Sequence, residues 1–145
     1  MRRPHRDTEI SADSRSVLIQ AVPDALQSHR VKIVIYQKPT CTTCRQVHAA
    51  LKESGVDFDA VDYYLDPIPK AKLKELLRKM GMKPRELLRT KEAVYKELKL
   101  AERELSDNEL IDLMVEHPDL IQRPIVEKGS RAILARPAER LKEIL

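Results

Sequence analysis

Two cysteines, Cys41 and Cys44, are the residues of this chain whose type and spacing best suit chemistry. They follow a short apolar, β-branched run over residues 31–36 and a loop that contains Pro39, and they stand where a helical pattern begins. The thiolate is the reactive form of cysteine, and the free N–H groups and positive dipole end of a helix start stabilise it. The sequence therefore predicts that Cys41 is a reactive nucleophile.

The three-residue spacing between these cysteines allows several roles. Residues i and i+3 at a helix start lie on one face, so Cys44 can reach Cys41 to form a disulfide. A zinc half-site would need a second ligand pair, and none of the four histidines has the spacing of one. Two inert buried thiols would not need a proline-bearing loop before them, and we expect no structural disulfide in a chain without a secretion signal. A C-x-x-C between a strand and a helix is typical of a redox-active dithiol.

Composition limits the class of protein. The chain has 145 residues, of which 42% are apolar and 34% charged, and no apolar run is long enough to span a membrane. We expect a cytoplasmic protein with one core. The net charge of +4 comes from basic residues that are interleaved with acidic ones, and only five residues are aromatic, so we expect neither direct nucleic-acid binding nor membrane binding. No nucleotide-binding glycine loop is present, and neither a metal nor a bound cofactor is expected.

The order of the periodic segments predicts the fold class. Residues 1–30 are predicted to be an N-terminal tail, for which disorder is one alternative and docking of a short element at residues 17–25 is another. The remaining segments are a strand, the dithiol helix, a strand, a helical block, two strands and a final helix, at residues 31–36, 41–54, 56–63, 69–117, 121–126, 131–135 and 137–145. Gly55 is expected to end the dithiol helix, and Ser106 with Glu109 to form a capping box in the helical block. Val56, Phe58 and Ala60 are expected on the half-buried face of the second strand. A strand, a helix and a strand in this order form a right-handed βαβ unit with parallel strands. The chain is therefore predicted to be an α/β protein, with a thioredoxin-like mixed sheet (βαβ then ββα) and a helical insertion between the halves, in one domain at 31–145.

Three arginines stand where the local structure does not require one. Arg89 lies at a helix junction, Arg123 directly precedes Pro124, and Arg136 directly precedes Pro137. Each alone is most simply a surface residue. Together with a reactive thiol they favour another role, because a planar, permanently charged guanidinium binds a tetrahedral oxyanion in a bidentate way.

Four motifs resemble one family: IYQKPTCTTCR, ELLRTKEAVYKELKL, SDNELIDLMVEHPDLIQRPIV and LARP. The chain is similar over residues 31–145 to the glutaredoxin-type arsenate reductases (the ArsC family) and to their relatives, the Spx transcription regulators. The resemblance implies a thioredoxin-like fold with a helical insertion and a nucleophilic cysteine at Cys41. It further implies three oxyanion-binding arginines and a cis-proline facing the cysteine, at Arg89, Arg123, Arg136 and Pro124.

The chain departs from the reductase pattern at two positions. Gln37 stands where the reductases usually carry a histidine, so help from that side in lowering the thiol pKa is lost. Cys44 stands where they commonly have a serine, whereas the Spx regulators do have C-x-x-C and use it as a redox switch. Arg136, in the LARP motif, follows the reductase pattern and not that of the regulators.

These features together predict a function in arsenic detoxification. Arsenate, held by the arginines, would be attacked by Cys41, and the adduct would be reduced to arsenite by a second thiol. The resemblance implies glutathione with glutaredoxin as the reductant, whereas Cys44 could instead form a disulfide that a thioredoxin-like partner reopens. Two alternatives are a redox-sensing regulator that binds RNA polymerase and a general disulfide reductase.

Overall fold

A computed structural model describes residues 31–145 of the chain. The predicted tail at 1–30, with its short element at 17–25, lies outside the described residues. The sheet of the described part contains four strands in the spatial order β2-β1-β3-β4, with the bounds β1 Ile33–Gln37, β2 Phe58–Asp62, β3 Ile125–Lys128 and β4 Arg131–Leu134. Strand β1 pairs in parallel with β2 and antiparallel with β3, and β3 pairs antiparallel with β4. The predicted mixed α/β sheet, with βαβ followed by a β-hairpin, is confirmed.

Helix α1 (Thr42–Ser54) connects the two parallel strands and carries the dithiol at its start. It buries Cys44, Val47 and Leu51. It ends at Gly55, whose φ of 75° lies in the left-handed region that glycine adopts without steric cost. The glycine directs the chain into β2, as the sequence predicts.

The helical insertion lies between β2 and β3. Its helices are α2 (Lys70–Met80), α3 (Pro84–Leu87), α4 (Ala93–Glu97) and α5 (Asp107–Glu116), with 3₁₀ turns at Leu100–Glu102 and Pro118–Leu120. Ser106 and Glu109 form the predicted capping box, since each side chain accepts a hydrogen bond from the other residue's backbone N–H. The insertion therefore begins and ends its longer helices with local signals that the sequence displays.

The alternation of side chains along the strands divides the core into two clusters. Ile33 and Ile35 belong to one cluster, which also contains Val47 and Leu51 of α1. Tyr36 belongs to the other cluster, with the buried leucines of the insertion. Because successive strand residues point to opposite faces, the sheet is covered by α1 on one face and by the insertion on the other.

A buried acidic side chain on β3 joins the sheet to α2. The carboxylate of Glu127 accepts hydrogen bonds from the Tyr36 hydroxyl at 3.1 Å and from Lys72 Nζ at 2.8 Å, and it also pairs with Lys79. Burial alone would raise the pKa of Glu127, but the hydrogen bonds from the two lysines hold it below its usual value. Burial, with the charge of Glu127, also raises the pKa of Tyr36 to about 12. The carboxylate is thus ionised and compensated inside the protein.

The structure corrects three details of the predicted elements. The strand expected over 121–126 begins only at Ile125, because Ile121 instead forms an isolated bridge with Leu88 of the insertion. Ala60, expected on the half-buried face of β2, is exposed, since β2 is an edge strand of the sheet. The final helix is a 3₁₀ helix over Ala138–Glu143. Among the described residues, no helix is both long and apolar enough to cross a bilayer.

Candidate active site

Cys41 occupies the N-cap of α1, with its thiol facing the free N–H groups of the first turn. Its Sγ accepts a hydrogen bond from the backbone N–H of Cys44 at 3.3 Å. Partial burial alone would raise the pKa of Cys41, but the hydrogen bonds from the thiol and backbone of Cys44, together with the charge of Arg123, lower it below its usual value. Cys41 is also partly exposed to solvent. The structure therefore provides a partly accessible thiol of lowered pKa at this position.

Cys44 has the opposite environment. Its side chain is fully buried in the first turn of α1, and neither cysteine is in a disulfide. Burial raises the pKa of the Cys44 thiol to about 12, and the neighbouring Cys41 thiolate acts in the same direction. The pair consequently divides into one thiol of lowered pKa and one of raised pKa, a division that suits a nucleophile and a resolving thiol.

Arg123 is a buried arginine without a carboxylate partner. Arg123 is 6% exposed, and no acidic side chain within residues 31–145 lies within ion-pair distance of its guanidinium. Its Nη1 donates to the Tyr64 hydroxyl at 3.3 Å, whereas its buried Nε has no hydrogen-bond partner in the described part of the chain. The bond between Arg123 and Pro124 is cis. A buried guanidinium that has no carboxylate partner within residues 31–145 and lies close enough to lower the pKa of the Cys41 thiol is suited to binding an anionic substrate.

Tyr64 connects Arg123 to the loop before the nucleophile. Its hydroxyl hydrogen-bonds with the carboxylate of Asp119, and its ring lies 4.6 Å from Lys38 Nζ and 5.9 Å from the Arg123 guanidinium carbon. Lys38 also pairs with Asp119 at 3.8 Å. Sequence analysis did not identify Tyr64 or Asp119, because the three elements that meet here are far apart in the chain and no local pattern marks them.

Arg136 and Arg89 line an open cleft of about 220 Å³ next to this site. The cleft is lined by Leu88, Arg89, Thr90, Lys91, Gln122 and Arg136. Arg136 is exposed and its Nη1 lies 3.4 Å from both the Thr43 hydroxyl and the Arg123 carbonyl. Arg89 pairs with Glu92 at 3.1 Å. The structure thus connects Arg136 to both the start of α1 and Arg123, while Arg89 lines the same cleft with its charge partly compensated.

Gln37, at the end of β1, is a second buried polar residue without a full set of partners. It is 9% exposed, and its Oε1 has no hydrogen-bond partner in the described part of the chain. Within residues 31–145, no three His, Cys, Asp or Glu side chains are grouped closely enough to hold a metal ion. The chemistry that the described residues offer is therefore that of the two thiols and the arginines.

The sheet order, the N-capping thiolate and the buried second thiol define a thiol protein of the thioredoxin-like class. The sequence model of the ArsC family matches residues 36–144, and the chain belongs to that family. It is 43% identical over 115 residues to the uncharacterized protein YfgD of Escherichia coli K12, a match that covers 79% of this chain and 97% of YfgD. It is 40% identical over 113 residues to an arsenate reductase of the same strain, covering 78% of this chain and 80% of that protein.

A solved structure supports the same assignment. The arsenate reductase from Vibrio cholerae superposes with a TM-score of 0.74 at 39% sequence identity, covering 79% of this chain and 98% of that one. The helical insertion and the mixed sheet thus belong to a fold that this family shares.

Proposed function

We propose that this protein reduces arsenate to arsenite by thiol chemistry at Cys41. The observation that carries the proposal is the juxtaposition of an accessible, acidic thiol with the buried, carboxylate-free guanidinium of Arg123. This pairing suits an oxyanion that must be both bound and attacked. Relatives that are named arsenate reductases support arsenate as the substrate.

In the first step, the Cys41 thiolate attacks arsenic. A sulfur–arsenic bond forms, an arsenate oxygen leaves as water after it takes up protons, and arsenic remains pentavalent. Arg123 and Arg136 neutralise the charge of the bound oxyanion, and Arg89, which lines the same cleft as Arg136, is the third cation assigned to it. Electrostatic stabilisation of this kind is worth most where the cations are fixed before the reaction, as Arg123 is by Tyr64.

In the second step, another thiol attacks the Cys41 sulfur. A sulfur–sulfur bond forms, and the electron pair of the sulfur–arsenic bond goes to arsenic, which leaves as trivalent arsenite. Cys44 is one candidate for this thiol, because it is one helical turn away. Glutathione is the other, in which case glutaredoxin would recycle the enzyme, whereas a Cys41–Cys44 disulfide would suit a thioredoxin-like reductant.

The proposal is tested by following arsenate-dependent loss of protein thiols together with arsenite formation. Purified, reduced protein is mixed with arsenate, and free thiols are counted after a single turnover. We expect two thiols lost per arsenite formed in the wild type and none in Cys41→Ser. A matched control with sulfate in place of arsenate should show no loss. Unchanged protein thiols and no arsenite in the wild type, both with arsenate alone and with arsenate plus glutathione, would contradict the proposal.

A redox switch or a general disulfide reductase remains the second candidate. The observation that favours it is the buried Cys44 next to the partly exposed Cys41 thiol, an arrangement suited to forming a reversible disulfide without any oxyanion. If peroxide forms the disulfide readily while arsenate causes no oxidation, a redox switch or disulfide reductase explains the site better than an arsenate reductase does. Binding of RNA polymerase by the reduced or oxidised protein would then separate the regulator from the reductase.

A further inference from the structure

A second cleft is formed by the loop before α1 and the exposed side of that helix, one turn beyond Cys41. It has a volume of about 350 Å³ and is lined by Gln37, Pro39, Arg45 and His48. None of these residues lines the cleft of Arg89 and Arg136. The reaction proposed above needs an external thiol in addition to arsenate, and this cleft is a separate place from which a thiol can approach Cys41.

We propose that this cleft binds a small thiol that carries a carboxylate, of the glutathione class, and directs its sulfur to Cys41. The proposal rests on the proposed function, whose catalytic cycle needs a reductant. It assigns to Arg45 the role of the carboxylate-binding residue, and to His48 and Gln37 the walls that orient the rest of the ligand.

The position of Arg45 suits this role. Cys41 and Arg45 are separated by one helical turn, a separation of about 5–6 Å between side-chain origins, which is comparable with the reach from the sulfur to a carboxylate in a short thiol peptide. Arg45 is exposed, and within residues 31–145 it makes no side-chain hydrogen bond or ion pair. The first turn of α1 contains no acidic residue that would compete for it. A guanidinium binds a carboxylate in a bidentate way.

The other lining residues give the cleft a fixed shape and a polar wall. His48 contacts Phe58 edge-on, with ring centroids 5.2 Å apart and an interplanar angle of 82°. Gln37 is more than nine-tenths buried and its Oε1 lacks a hydrogen-bond partner in the described part of the chain. A buried amide in this state favours a ligand that brings a hydrogen-bond donor, and a peptide thiol supplies amide N–H groups.

Two molecules of the ligand thiol can reduce the Cys41–Cys44 disulfide without arsenate. The ligand thiolate attacks Cys41 Sγ in the Cys41–Cys44 disulfide, a mixed disulfide forms, and Cys44 leaves and is protonated. A second thiol molecule then attacks the mixed disulfide, which releases Cys41 as thiolate and the two ligand molecules as their disulfide. Attack on Cys41 is favoured because Cys44 is fully buried.

The experiment measures this reduction in protein that has first been oxidised with diamide, so that its outcome does not depend on arsenate. The rate of thiol release is followed with glutathione and with 2-mercaptoethanol, an uncharged thiol. In Arg45→Ala we expect the second-order rate constant to fall about tenfold for glutathione and to stay unchanged for 2-mercaptoethanol. Lys52→Ala removes the same charge from an exposed position of α1 outside the cleft and should change neither rate.

Three results would overturn the proposal: an unchanged glutathione rate in Arg45→Ala, an equal loss with both thiols, or the same loss in Lys52→Ala. Binding is measured separately with S-methylglutathione, which cannot react. Its addition to the reduced wild type should shift the His48 ring signals in NMR spectra to saturation, and the shift should be lost in Arg45→Ala. Absence of the shift in the wild type also contradicts the proposal, whereas failure of arsenate reduction would leave these two measurements unaffected.

Discussion

Replacing Cys44 with serine should change which reductant the protein uses. Cys44 has a pKa of about 12, so only about 10⁻⁵ of it is thiolate at pH 7. A thiol held one turn from its target has an effective concentration of roughly 10⁵ M or more, if the geometry is productive. The ionised fraction multiplied by the effective concentration gives about 1 M of reactive Cys44 thiolate, in spite of the raised pKa.

An external thiol competes poorly with this value. At about 1 mM, with an ordinary pKa near 8.5, it is about 3% ionised at pH 7 and supplies about 3 × 10⁻⁵ M thiolate. The ratio favours Cys44 by about four orders of magnitude, and the greater nucleophilicity of a high-pKa thiolate increases it further. Proximity therefore outweighs the pKa penalty that burial imposes on Cys44.

The assay is mass spectrometry of protein quenched after one turnover with arsenate and glutathione. The wild type should contain a Cys41–Cys44 disulfide, which a dithiol of the thioredoxin kind should reopen faster than glutathione, because glutathione needs two successive exchanges. Cys44→Ser should instead carry one glutathione on Cys41 and turn over with glutathione and glutaredoxin. A glutathione adduct in the wild type would refute the reasoning, because it would mean that the buried thiol does not reach the adduct.

Further predictions concern the nucleophile, its arginine, the residue that holds the arginine, and the buried carboxylate. In alkylation rates measured against pH, Cys41→Ser should remove the more acidic thiol; if Cys44→Ser removes it, the assignment of the two roles is reversed. Arg123→Lys keeps the charge but loses the two parallel N–H donors of the guanidinium, so kcat/KM for arsenate should fall about tenfold, which corresponds to about 1.4 kcal/mol of transition-state stabilisation. Arg136→Lys is the parallel variant, and unchanged kinetics in both would exclude an oxyanion bound there. Tyr64→Phe removes a hydrogen bond to a buried charge, so kcat/KM should fall about tenfold, with the alkylation pKa of Cys41 nearly constant; a normal rate would show that the hydroxyl does not position the guanidinium. Glu127 has a lowered folded-state pKa, so its contribution is present above the unfolded pKa and is lost as pH falls through the folded value. Glu127→Gln should therefore cost about 3 kcal/mol in urea unfolding at pH 7 and less at low pH, and an equal cost at both would contradict this origin.

Much of the fold follows from local signals in the sequence. The boundaries of α1 depend on a capping residue and on Gly55, and those of α5 on the Ser106–Glu109 box, so both could be read from the residues themselves. Ala60 was misplaced because its exposure depends on β2 being an edge strand, which is a property of the sheet and not of the segment. The late start of β3 has a similar cause, since Ile121 pairs with Leu88, 33 positions earlier in the chain.

In the site, too, some features follow from the local sequence and others depend on contacts between distant segments. The different environments of the two thiols could be anticipated, because a C-x-x-C at a helix start places one cysteine at the cap and the other one turn inside. The contacts of Arg123 could not, because Tyr64, which bonds to Arg123, and Asp119, which bonds to Tyr64, come from separate segments of the chain. The cleft at Arg45 was missed for another reason: an arginine on a helix surface has no distinctive pattern until the loop that faces it is placed.

Among residues 31–145 no carboxylate lies beside Arg123, and this makes the stability of the protein depend on the solution around it. A buried cation that is not neutralised lowers the free energy of unfolding, and any anion that binds only the folded state restores part of it by mass action. At a concentration 100 times its Kd, such an anion raises the unfolding free energy by about 2.7 kcal/mol. The melting temperature in arsenate, phosphate, sulfate and chloride therefore ranks the anions by their affinity for this pocket, even in Cys41→Ser, where no chemistry can follow.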